Sequence, residues 1–126
     1  MSVRLLLDTH VLLWTLATPR RLRAAIRREI ERGEIFVSAA SIWEIAIKFA
    51  AGRIATGPRA VLDELPKAGF ELLPVTGVHA VRTGDLGGLH KDPFDRMLIA
   101  QALCESMTLL TNDEALAEYR SAVRLV

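Results

Sequence analysis

The chain has 126 residues, about half of them apolar and a quarter charged, and its formal net charge is +1. That length suits a single compact domain spanning residues 1–126, able to bury roughly two thirds of its unfolded surface without staples, and the balance excludes a disordered chain. A charge so close to zero excludes a polybasic nucleic-acid binder, so any affinity of that kind has to come from local patches or a bound metal.

Taken in chain order, the first element is the compact aliphatic run from Val3 to Leu7, which reads as a strand buried on both faces. It is too short for a signal peptide and ends in Asp8. A helix is expected from Thr9 to Ala17, stopped near Pro19. Arg20 to Arg32 carries Leu22, Ala25, Ile26 and Ile30 at helical spacing and ends at Gly33. Its six arginines, interleaved with Glu29 and Glu31, read as a solvated face or as a contact for phosphate or an acidic partner.

A second strand is expected at Ile35 to Val37, and a helix from Ala40 to Ala51 closed by Gly52. The latter carries apolar residues on nearly every side, which predicts burial, with Ser41, Glu44 and Lys48 as its one polar stripe. Arg59 to Ala68 forms a further helix and Phe70 to Leu73 a third strand. Val78 to Thr83 makes a helical turn before the glycine-rich loop Gly84 to His90, in which Gly87-Gly88 matches no phosphate-binding pattern. Asp92 and Pro93 open a long apolar helix to about Ser106. Thr108 to Leu110 is a fourth strand, Asp113 to Tyr119 a last helix and Val123 to Leu125 a terminal strand. This alternation implies an α/β fold with an open parallel sheet covered on both faces.

Trp14 and Trp43 read as core residues, with Trp14, near a helix end, also placed to help form a partner groove. His10, His79 and His90 lack metal-ligand spacing, and the lone Cys104 reads as a buried, inert thiol in a reducing compartment. No stretch approaches the roughly 18 apolar residues of a membrane span. The chain therefore reads as soluble and cytoplasmic.

In open parallel sheets ligands bind beyond the carboxyl ends of the strands, where Asp8 and Asp113 fall directly. Glu44 is expected at the same edge; Asp95, after a long loop, is not forced there by connectivity. Each acid also has a local explanation. Ser41 and Glu44 have capping-box spacing, Asp92-Pro93 reads as a helix cap with Asp95 in the first turn, and Asp8, Thr111 or Asp113 could cap a helix. Glu44 and Lys48 also stand at ion-pair spacing. Clustered carboxylates repel unless a cation neutralises them, and hard oxygen ligands select Mg²⁺ or Mn²⁺, which would activate water against a phosphodiester. Two other readings stand beside this one: a non-catalytic module binding RNA or protein, its acids serving as caps, and a phosphatase-like domain with Asp8 as nucleophile.

Four segments resemble the signature blocks of PIN domains, and most of all the VapC-type toxins of toxin–antitoxin systems. They are Leu5-Leu-Leu-Asp-Thr-His-Val-Leu-Leu-Trp14, Ser38-Ala-Ala-Ser-Ile-Trp-Glu-Ile-Ala-Ile-Lys48, His90-Lys-Asp-Pro-Phe-Asp-Arg-Met-Leu-Ile-Ala-Gln-Ala102 and Leu109-Leu-Thr-Asn-Asp113. The resemblance implies a three-layer α/β/α sandwich around a mostly parallel sheet of about five short strands. It implies a Mg²⁺- or Mn²⁺-dependent endoribonuclease, with RNA as substrate and a cognate antitoxin as inhibitor. By the same resemblance Asp8, Glu44, Asp95 and Asp113 form the catalytic metal site, and Thr9, Ser41 and Thr111 support it. Asp92 is structural, and Lys48 and Arg96 lie where substrate contact is expected. The apolar content is compatible with two chains pairing as a homodimer.

Overall fold

The structure is a computed structural model and describes residues 3–88 and 91–126. Strands β1 (Arg4–Leu7), β2 (Glu34–Ser38), β3 (Glu71–Leu73), β4 (Thr108–Thr111) and β5 (Val123–Leu125) form one sheet in the order β3-β2-β1-β4-β5. Every pairing in it is parallel. The helices are α1 (Thr9–Ala17), α2 (Ala24–Arg32), α3 (Ala39–Ala50), α4 (Pro58–Ala68), α5 (Gly77–Gly84) and α6 (Pro93–Glu105).

β1 is the middle strand, and the three leucines that end it divide the core. Leu5 and Leu7 pack with Val11, Leu12, Ile26, Ile45, Val61 and Leu65 from α1 to α4. Leu6 points the other way, to Leu98, Ile99 and Ala102 of α6. Alternate side chains of a strand face opposite sides of its sheet, so a strand apolar at every position needs cover on both. The result is the expected three-layer α/β/α sandwich.

Chain direction then fixes the cleft. From β1 the chain moves outward through β2 to β3, and it later returns to the other side of β1 for β4 and β5. The strand order reverses between β1 and β4, and a crevice opens at that switch point, beyond the carboxyl ends of both strands.

The arginine-rich segment departs from its sequence reading. Arg20 to Arg32 is not one helix: a 3-10 turn at Pro19–Arg21 is followed by extended backbone at Leu22 and Arg23, and only then by α2. Leu22 is buried, so the chain breaks its helix to turn this side chain into the core. Ile26 and Ile30 form the buried stripe of α2, leaving the arginines outside. The segment after β4 is likewise a 3-10 turn, Glu114–Glu118, rather than an α-helix. Gly87 and Gly88 both have positive φ, a left-handed conformation that glycine adopts without steric cost. His90, the last residue of the glycine-rich loop, lies outside the described residues.

Candidate active site

Asp8 follows β1 immediately and caps α1. Its Oδ1 accepts the Val11 amide at 2.8 Å, and its Oδ2 accepts the hydroxyl of Thr111 at the end of β4. Two neighbouring strand ends thus grip one carboxylate across the switch point. The side chain is almost wholly buried. Burial pushes its pKa above the ordinary carboxylate value, the bonds from Thr111 and Val11 and the charge of His10 pull it down, and the negative Glu44 pushes it up again.

Glu44 reaches this place from α3. Its Oε1 accepts the Thr9 hydroxyl at 2.5 Å, and its Oε2 is 2.9 Å from Nζ of Lys48. Thr9 Oγ1 also lies 3.3 Å from Ser41 Oγ, tying the start of α1 to the start of α3. The capping-box reading of Ser41 and Glu44 is corrected here. The helix begins earlier, and its cap is Ser38, whose hydroxyl accepts the Ala40 amide at 3.0 Å. Glu44 therefore stands beyond the first turn, where no free amide competes for it.

Asp113 is held nearby by a relay. Its amide donates to Thr111 Oγ1 at 3.1 Å, the same hydroxyl that binds Asp8, while its Oδ1 accepts the Ala115 amide at 2.9 Å as a cap. Asp92 caps α6, accepting from Phe94 and Asp95 amides at 2.9 and 3.2 Å. The helix that carries Asp95 ends beside the start of β1, where Arg4 donates to the carbonyl of Glu105. It then passes directly into β4, so its first turn lies at the carboxyl edge. Phe94 confirms this placement: its ring meets that of Trp43, the neighbour of Glu44, edge-on at a centroid distance of 5.1 Å. Arg96 donates to the carbonyls of Thr83 at 2.7 Å and Gly87 at 3.2 Å, and so ties the end of α5 and the loop after it to α6.

The acids are brought to one edge but not into a closed cage. Among the described residues, no three Asp, Glu, His or Cys side chains converge closely enough to hold a metal by themselves. The donor set still suits a hard, hydrated cation. Mg²⁺ keeps several waters and takes one or two carboxylates, and the Asp8–Glu44 pair is of that kind. The raised pKa of Asp8 fits as well, since a buried carboxylate lacking compensating charge is the environment a cation stabilises.

Two other expectations change. Trp43 is not core: it is 64% exposed, and Ile47 and Phe49 on the same helix are 47% and 45% exposed. Helix α3 buries only Ala40, Ser41 and Ile45, because one face alone meets the sheet. Trp43, Ile47, Val75, Phe94 and Met97 line an open apolar groove of about 770 Å³ between α3 and α6. The sequence also gave no signal for a buried polar cluster under α5. There His79 accepts the Thr76 amide through Nδ1, meets Glu105 through Nε2 at 2.8 Å, and lies 3.3 Å from the Gln101 amide. Thr76 and His79 close a capping box in which His replaces the usual Glu or Gln. Cys104 is half-buried rather than fully enclosed.

The model of the PIN domain matches residues 5–121. The chain belongs to the PIN-domain family. No curated relative matches it by sequence, but solved structures match it across nearly its whole length. VapBC2 from Rickettsia felis, bound to a DNA fragment from its promoter, superposes with a TM-score of 0.71 at 14% identity, covering 98% of each chain. VapBC-1 from nontypeable Haemophilus influenzae gives 0.70 at 15% identity, covering 98% of this chain and 97% of that one. FitAcB from Neisseria gonorrhoeae gives 0.59 at 19% identity, with 96% and 95% covered. At such identities the likeness establishes the PIN fold. In this PIN domain, the four sequence-predicted acids all sit on elements that meet at the carboxyl edge of β1 and β4.

Proposed function

We infer that this PIN domain is a metal-dependent endoribonuclease and the toxin of a VapBC-type toxin–antitoxin pair. The chain is read as a single nuclease domain acting in the cytoplasm. Among the described residues, no helix is long and apolar enough to cross a membrane. The observation that carries the reading is the buried Asp8, gripped by Thr111 and Val11 at the strand-order switch with Glu44 beside it. Its desolvation works against the fold, and the bonds from Thr111 and the Val11 amide offset this only in part.

Asp8 and Glu44 would hold Mg²⁺ or Mn²⁺, and Asp95 and Asp113 extend the acidic edge toward it. When bound, such an ion supplies positive charge for a phosphate group and an acidified water for in-line attack. The chain's own contribution is positional. Thr111 and the Val11 amide fix the plane of the Asp8 carboxylate, and Thr9, with Ser41 behind it, fixes Glu44. Asp92 fixes the start of α6 by accepting the amides of Phe94 and Asp95, which sets the position of the turn that carries Asp95. Lys48 and Arg96 provide the positive charge that an RNA backbone meets on approach.

The partner assignment rests on the likeness to toxin–antitoxin complexes over nearly the full chain. A cognate antitoxin is the expected inhibitor. The exposed groove around Trp43 and Phe94 is apolar enough for an interface, including one between two copies of this chain. In the test, purified protein is incubated with RNA and Mn²⁺. Asp8→Asn and Asp95→Asn should each lower cleavage by roughly 100-fold or more with the fold intact, and undiminished cleavage in both would remove the site assignment.

One observation favours a different reading. Asp8, Asp92 and Asp113 all act as caps and Glu44 is ion-paired, which is what a non-catalytic RNA- or protein-binding module would show. Titration with Mn²⁺ separates the two, because a ligand bound by the folded state alone raises the melting temperature.

A further inference from the structure

We propose that Lys48 is a built-in counter-ion of the acidic site, holding Glu44 while no metal is present and surrendering it when a divalent cation binds. The inference rests on the metal-dependent reading above. The two oxygens of Glu44 are held differently. Oε1 is bound by a neutral hydroxyl, Thr9 Oγ1, at 2.5 Å. Oε2 carries the Lys48 ammonium at 2.9 Å. Both side chains are largely shielded, at 13% exposure for Glu44 and 26% for Lys48, so their attraction is screened less than that of a surface pair.

The arrangement answers an electrostatic problem. Asp8 and Glu44 lie close enough for the charge of one to disfavour that of the other. One ammonium offsets part of that repulsion. A divalent ion held by Asp8 and Glu44 would offset more, and in approaching Glu44 it would meet the ammonium that Lys48 places at Oε2. Lys48 and the metal therefore compete for one carboxylate. Lys48 sits one helical turn beyond Glu44, and its four-carbon stem can swing outward without disturbing the α3 backbone. It acts through Glu44, as a positioning residue.

The test is Mn²⁺ affinity, measured by the loss of the free-ion paramagnetic resonance signal, in wild type, Lys48→Met, Lys48→Arg and Asp8→Asn. Lys48→Met should bind Mn²⁺ about fivefold more tightly than wild type, the size of one partly screened charge interaction. Lys48→Arg should stay within about twofold of wild type, because it keeps the charge. Melting gives a crossed readout that a purely structural lysine would not show. In chelator Lys48→Met should melt below wild type, and in saturating Mn²⁺ that gap should close or reverse. Equal or weaker Mn²⁺ binding by Lys48→Met, with wild-type binding intact and sensitive to Asp8→Asn, overturns the counter-ion role alone. Absence of Mn²⁺ binding in every variant, or affinity indifferent to Asp8→Asn, overturns the metal reading and this inference with it.

Discussion

Asp8 shows how one residue is held against its own preference. A carboxylate in a nearly closed site favours its protonated form, and the hydrogen bonds from Thr111 and Val11 only partly compensate. The consequence for stability has a definite sign. Below the ordinary carboxylate range Asp8 is protonated in both folded and unfolded chains and costs nothing. As pH rises through its raised folded value, the folded chain must ionise a buried acid, and stability is lost. Asp8→Asn removes that cost while its amide oxygen can still accept from Val11. In chelator the variant should therefore out-melt wild type at about pH 7.5, and its advantage should shrink as pH falls through the raised folded value of Asp8 toward the ordinary carboxylate range. Paired thermal melts across this range check it, and a variant that melts lower throughout would show that the Thr111 bond outweighs desolvation. Asp8 was legible as a site residue because it follows an aliphatic strand at once. Its grip by Thr111 was not, since the two are 103 positions apart.

At the scale of elements, α3 and α6 carry the corrections that matter. The sequence of α3 is apolar on nearly every side, and periodicity alone cannot say which part of such a helix is covered. Only Ala40, Ser41 and Ile45 are buried, and Trp43 stands outside against the edge of Phe94. Truncating a core tryptophan costs about 3–5 kcal/mol. Trp43→Ser should instead cost about 1.5 kcal/mol or less, chiefly the aromatic pair, as read from urea unfolding of the isolated chain. A loss in the core range would mean that Trp43 is covered in solution. For α6 the caps were legible, because Asp-Pro before an apolar run has a single favourable use at a helix start. Its lateral position beside α3 was not, because the preceding connection is long and includes α5. Phe94 meets Trp43 edge-on there, which sets the first turn of α6 beside the helix that carries Glu44.

Across the whole molecule the parallel sheet separates two cores and sets up the cleft. Leu6 is fully buried in the α6-side core, while Leu5 and Leu7 belong to the other. Leu6→Ala should thus cost about 2–5 kcal/mol and loosen α6 first. Amide hydrogen exchange would register this as lost protection in α6 with α1 to α4 less affected, and uniform loss would argue that the two cores unfold as one. The candidate acids were singled out together by the resemblance of four segments to PIN-domain blocks, Asp95 most of all. The α/β class, the order of the strands along the chain and the buried central strand were contained in the sequence pattern itself. These last depend on local periodicity, on capping chemistry and on residue types that have few uses where they occur. Only the tertiary structure decided that Asp8 is shared between two strand ends, that Thr9 of α1 binds the second oxygen of Glu44, and that Trp43 faces outward. Those outcomes depend on which distant surfaces meet, and a one-dimensional pattern does not encode the face on which a helix lands.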